Sequence, residues 1–144
     1  AVLYRESLSH YERIGNHLSM ARHHGDLGQI AIQLNDFKTA NEEYAKSIWL
    51  SYRMGYRLWI VEGLEGLAQV GVGARRWKRA TRLIGAAQML REEIGAVRVP
   101  MKRAALEKCR FEAHEALGDA FDAHWQNGRD RMAWLMLRMQ KAKR

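Results

Sequence analysis

Apolar residues along this chain recur at helical spacing, and the pattern returns every 40 residues. Residues 2–14 predict a first helix closed by Gly15-Asn16, a typical C-terminal stop. A second helix over residues 18–34 carries Met20, Ala21, Leu27, Ile30, Ala31 and Leu34 at helical spacing. Asn35-Asp36 makes a turn, with Asp36 capping a helix from Phe37 to Met54 that Gly55 ends. A helix over 58–72, a turn at 73–76 and a helix over 77–94 ended by Gly95 repeat that plan. Pro100 suits the first turn of a helix over 101–117; a short helix at 119–126 and a last one at 130–142 follow. Seven or eight helices and no strand are expected.

Laying Gly15 on Gly55 and Gly95 brings Leu27 onto Leu67, Gly28 onto Ala68, Ile30 onto Val70, Phe37 onto Trp77 and Ala40 onto Ala80. Periods of 20–50 residues mark arrays of one supersecondary unit, none of which buries its apolar face alone. The chain therefore reads as one all-α domain over 1–144: a half repeat at 1–15, repeats at 16–55 and 56–95, and capping helices at 96–144. Gly28 and Ala68 sit mid-helix, where glycine costs roughly 1 kcal/mol relative to alanine. They predict close helix approach against Ala40 and Ala80, with Phe37, Tyr44, Trp77 and Ile84 filling the gaps. Residues 1–14 align with second helices of the later units, so the chain begins halfway through a repeat. A fragment of a longer protein explains this, as does a small protein that covers the edge with a second copy. Tyr4, Leu8 and Tyr11 share one face of that helix and predict weak homodimerisation through residues 1–14.

Charge changes this picture only at one end. Of the net +8, residues 1–56 contribute nothing, 57–97 contribute +3 and 98–144 contribute +5. A basic C-terminal two thirds is either a solvated face or an attraction for a polyanion. The densest run, Arg75, Arg76, Lys78, Arg79 and Arg82, reads as a candidate docking patch for an acidic domain or partner, for nucleic acid, or as plain solvated surface. Met132, Leu135, Met136 and Met139 form one stripe ringed by basic residues, which either seals the last repeat or docks a partner. No apolar run spans a bilayer, the N-terminus lacks the apolar stretch of a signal peptide, and the lone Cys109 fits a reducing cytoplasm.

The string His24-x-x-Leu27-Gly28-x-x-Ala31 followed by Ala40-x-x-x-Tyr44 is similar to the tetratricopeptide repeat, and Leu64-x-x-Leu67-Ala68-x-x-Gly71 with Ala80-x-x-x-Ile84 repeats it. The period is 40 rather than 34, as in the long-repeat variety of bacterial regulators. Residues 55–130 further resemble the C-terminal region of large bacterial signal-transducing ATPases and transcriptional regulators. That likeness rests on Glu62-Gly-Leu-Glu-Gly-Leu-Ala68, Arg79-Ala80-x-Arg-Leu-Ile-Gly85, Leu90-Arg91-Glu92, Arg103-Ala-x-x-Glu107 and Leu117-Gly118-x-x-Phe121-x-x-x-Trp125-x-x-Gly128-Arg129. The family's tyrosine before Glu107 is Leu106 here, and its acidic final helix is basic. The resemblance implies a right-handed superhelix whose first helices line a concave groove. In this chain that lining is Arg22, Gly25, Gln29, Ile32 and Gln33, then Glu62, Glu65, Gln69, Val72 and Gly73. Arg22, Gln29, Gln33, Glu62, Glu65 and Gln69 are the candidate binding residues, suited to a peptide, a polar ligand or another domain of the same polypeptide, unless the short array merely supports a longer groove.

Catalytic and metal chemistry find little footing. His23-His24 point about 100° apart on a helix, and His114-Glu115 has no histidine four residues on, since His124 is ten away. Cys109 lies in an apolar register, and the glycines at 63, 66, 71, 73 and 85 form no phosphate loop. The expectation is a cytoplasmic, non-catalytic, cofactor-free sensor or scaffold of a bacterial transcriptional regulator, with a nucleic-acid-contacting helical module as the alternative and no membrane role.

Overall fold

Six α-helices account for nearly all of the chain in the structure, a computed structural model that describes the backbone of residues 2–142 and the side chains of residues 15–141. They are α1 (Val2–Gln33), α2 (Phe37–Met54), α3 (Arg57–Gly73), α4 (Trp77–Ile94), α5 (Pro100–Leu117) and α6 (Phe121–Ala142), with a 3-10 turn at Gly118–Ala120. The described residues contain no strand. The side chains of Tyr4, Leu8 and Tyr11, the expected self-association edge, lie outside the described residues.

Four of the helix ends share one backbone device. Asn35, Gly55, Arg75 and Gly95 adopt left-handed φ values of 57°, 76°, 59° and 67° at 20-residue intervals. After each, the next amide donates back five residues: Asp36 to Ala31, Tyr56 to Ser51, Arg76 to Gly71 and Ala96 to Arg91, at 2.7–3.1 Å. These bonds satisfy carbonyls that the helix end leaves open. Gly15 was expected to act likewise and does not: α1 runs through it without a left-handed turn. A glycine inside a helix costs only about 1 kcal/mol, less than breaking a ladder that continues on both sides. The two helices expected at 119–126 and 130–142 are likewise one, α6, with Gly128 inside it.

α1 with α2 and α3 with α4 form two antiparallel hairpins, and α3 packs on both α2 and α1. Ala40, Ala68 and Ala80 are wholly buried, as their spacing predicts. Gly28 and Gly66 flank the Tyr44 ring, and a Cβ on Gly28 would come within 2.7 Å of it. Tyr44 thereby joins α1, α2 and α3 in one cluster with Ala31, Ala40, Leu67 and Val70. Met20, Ile30 and Leu34 of the same apolar pattern are exposed at 46%, 51% and 74%. Val70, the counterpart of Ile30, is buried at 1% in that three-helix cluster. The face of α1 turned away from α2 and α3 has no helix over it among the described residues.

The last two helices break the pattern. The backbones of α2 and α4 do not come close, whereas α6 lies directly on α4 and meets α5 mainly through side chains. Two glycines make this possible: a Cβ on Gly85 would collide with the Trp125 carbonyl oxygen, and one on Gly128 with that of Arg82. Backbone therefore meets backbone on both sides of the crossing. Phe121, exposed by 1%, anchors the start of α6. Met132 and Met136 pack against Val61, Ala87 and Leu90, so this part of the methionine stripe seals the second hairpin, while Leu135 stays exposed.

Candidate functional site

The inward stripes of α1 and α3 meet over Tyr44 and enclose a cavity of about 470 Å³. Arg22, Gly25 and Gln29 come from α1, and Glu62, Glu65 and Gln69 from α3, so five of the six candidate binding residues converge there. Gln33 does not; it lies exposed in the last turn of α1. Ile32, Val72 and Gly73 also lie outside the cavity wall.

The polar groups around this cavity are ordered. The Tyr44 hydroxyl donates to Gln29 Oε1 at 3.3 Å. Burial, and behind it the negative charge of Asp26, push the phenol pKa up to about 12, so it remains a donor at neutral pH. Ser47 reaches from α2 to the Ala21 carbonyl at 2.8 Å and holds α1 against α2. Glu62 is met by Lys102 of α5 at 2.9 Å, an ion pair that closes one end of the groove. Outside it, His24 Nδ1 and Glu43 lie 2.5 Å apart, and that hydrogen bond holds the Glu43 carboxyl below its ordinary range.

Glu65 stands in the cavity wall with a side chain only 6% exposed and doubly paired. Its Oε1 accepts from Arg91 Nε at 2.9 Å and from Arg98 Nε at 3.1 Å, and Arg91 Nη2 lies 2.7 Å away in the same ion pair. One carboxylate oxygen thus ties α3, α4 and the α4–α5 connector together. Trp59, Asp26 and Lys102 line the cavity and were not singled out from the sequence. Trp59 was legible, because Trp59, Glu62, Gly66 and Gln69 continue one helical stripe; Lys102 was not, because its approach depends on how α5 folds back.

The remaining candidates are dispersed. Arg75, Arg76, Lys78 and Arg79 are exposed around the α3–α4 turn, with no carboxylate partner among the described residues. Arg82 is half-buried and donates from Nη1 to His124 Nδ1 at 3.3 Å, so it belongs to the α4–α6 contact rather than to the patch. Trp77 is half-buried against the second-hairpin core. His23 and His24 sit with ring centroids 6.1 Å apart, and His114 tilts against Phe121.

Ser47, Ser51 and Thr81 donate their hydroxyls to the backbone carbonyls of Ala21, Ser47 and Trp77. Burial raises the Cys109 thiol to about 11, which holds it as the unreactive thiol. The arrangement can bind: two amide side chains, Gln29 and Gln69, offer donors and acceptors between charged flanks. No helix among the described residues is long and apolar enough to cross a membrane. Comparison of the chain with protein-family models, with curated proteins and with solved structures finds no match.

Proposed function

We propose that this chain is a non-catalytic binding module of a bacterial signal-transducing regulator, and that the groove between α1 and α3 takes an extended peptide or a segment of another domain. The observation that carries the reading is the convergence of Gln29 and Gln69 on one open cavity, with Arg22 and Asp26 at one flank and the Glu62–Lys102 pair at the other. Neutral amides match a peptide backbone, whose every residue carries one donor and one acceptor. The charged flanks set direction and side-chain preference. The resemblance to repeat-containing transcriptional regulators supplies the biological setting, in which occupancy of the groove is relayed to an effector domain.

Selection of binders from a random extended-peptide library, followed by fluorescence-polarisation titration, tests this. Gln29→Ala/Gln69→Ala is expected to weaken the selected peptides about tenfold or more. Equal affinity for the wild type and the double variant would remove the groove from the reading. The exposed run Arg75, Arg76, Lys78 and Arg79 supports a second reading, contact with nucleic acid. Retention of duplex DNA that falls steeply and linearly in log–log plots against salt would favour it.

A further inference from the structure

A second cavity, of about 670 Å³, opens on the other side of the Glu65 ion cluster, between α4, the Gly95–Val99 connector and α5, with Trp125 of α6 as a wall. Its charges do not balance. Arg91, Arg98, Arg103 and Arg110 line it, against Glu92 and Glu107. Glu107 is taken by Arg103 at 3.2 Å and Glu92 by Arg129 at 2.7 Å. Arg91 and Arg98 must share the single carboxylate of Glu65. Arg110 has no carboxylate partner among the described residues; its guanidinium lies 5.6 Å from the centre of the Trp125 ring. With their partners included, five guanidiniums face three carboxylates.

Part of that surplus is hard to solvate. The side chains of Arg91 and Arg98 are 6% and 16% exposed, and a desolvated cation without an anion of its own is destabilising. Arg98 uses only Nε toward Glu65, so the two Nη groups of its fork make no hydrogen bond to a described residue. Such a fork matches two oxygens of a carboxylate or phosphate. Ile84, Val97, Leu106 and the Trp125 ring give the wall its apolar part, Gln88 is its neutral polar residue, and the Trp125 Nε1–H finds no acceptor among the described residues.

We infer that this cavity binds a small molecule with an oxyanion head, a carboxylate or a phosphate monoester, on an apolar or aromatic body. The head lies at the Arg98 fork and Arg110, and the body against Trp125, Leu106 and Val97. The volume falls in the range of small-molecule sites. This site is separate from the α1–α3 groove, with the Glu65 cluster between them.

Calorimetric titration of the whole chain with benzoate, phenyl phosphate and benzyl alcohol tests the assignment. Either or both anions should bind, and the tighter of the two identifies the head group; benzyl alcohol should bind at least about tenfold more weakly than that anion. Arg98→Gln should weaken the anion about tenfold and Arg110→Gln about threefold, with Arg98→Lys intermediate because charge remains and the fork is lost. Arg110 is exposed, so its variant keeps the test open if Arg98→Gln fails to fold. Gln69→Ala, in the groove, should leave anion binding unchanged. Equal binding of benzyl alcohol, indifference to both arginine substitutions, loss of binding in Gln69→Ala, or no binding by either anion up to about 10 mM would each overturn the inference.

Discussion

The contact between α1 and α2 and the contact between α4 and α6 are both built on glycine, and they tolerate change very differently. In the first hairpin, Gly28 faces the ring of Tyr44, the end of a side chain that can tilt. At the terminal crossing, Gly85 and Gly128 face carbonyl oxygens of the opposing helix, which move only if a whole helix moves. The first arrangement recurs along the array because a large residue can fill whatever gap two small ones leave. The second fixes α6 on α4, whereas the backbones of α2 and α4 do not come close. It also places Arg129 over Trp125 at 4.7 Å and beside Glu92, and so builds the wall of the second cavity.

The largest effect should come where the two regions are tied together. Glu65→Ala leaves Arg91 and Arg98 facing each other without their carboxylate and should cost about 3–5 kcal/mol by denaturant unfolding. Glu65→Met with Arg91→Met should recover most of that loss, since it removes a buried charge from each side. If Glu65→Ala unfolds at the wild-type midpoint, the cluster is solvated and the two regions are independent.

The glycine contrast gives the next effect. Gly128→Ala should destabilise by roughly 1–3 kcal/mol or more. Gly28→Ala should cost less, because the Tyr44 ring can shift where a helix carbonyl cannot, and the gain of about 1 kcal/mol in helix propensity applies equally at both sites. The reverse order, measured by thermal unfolding, would show that α6 adjusts more easily than a packed ring.

The hairpins also differ at their second-helix caps. Asp36 accepts the Thr39 amide at 3.2 Å at the start of α2, whereas Arg76, its counterpart before α4, makes no side-chain cap. Arg76→Asp should therefore stabilise the chain by about 0.5–2 kcal/mol. The Asp36 carboxyl is held below its ordinary 3.8, chiefly by the Thr39 hydrogen bonds. A depressed carboxylate stabilises the fold above its unfolded pKa and loses that contribution as pH falls through the folded value. The advantage of Arg76→Asp should accordingly be present at pH 7 and shrink below about pH 4 in acid titrations followed by circular dichroism. An advantage that persists at pH 2 would come from removing a cation and not from capping.

How much of this was legible in the sequence depends on whether a residue acts locally. Gly55 and Gly95 announce helix ends because glycine takes the left-handed turn easily, and Asn35 does so more weakly. Gly15 misleads, since glycine permits such a turn without requiring one. The groove stripes were legible because helical spacing alone sets them side by side. The Glu65 cluster was less so: its partners stand 26 and 33 residues away, and the one local signal is a carboxylate inside a run of small and apolar residues, 63–68. The α4–α6 crossing was illegible, because Gly85 and Gly128 each look like an ordinary weak spot in a helix until the other is beside it.

Arg75 is the place where the 20-residue backbone rhythm runs against its own residue. Its φ of 59° is the conformation that Gly55 and Gly95 adopt freely, and a residue with a Cβ is disfavoured there by about 1–2 kcal/mol. The α3 helix still ends there, where the Arg76 amide reaches the Gly71 carbonyl at 2.7 Å. Arg75→Gly should relieve that strain, offset partly by the roughly 0.5–1 kcal/mol that glycine loses in ordering, for a net gain below about 1 kcal/mol. Arg75→Ala removes the same charge without relieving the turn and should gain nothing. Gly95→Ala should lose about 1 kcal/mol at the matching position. Equal melting points for Arg75→Gly and Arg75→Ala would mean that crowding of charge in the basic turn, and not the left-handed backbone, sets the cost at this corner.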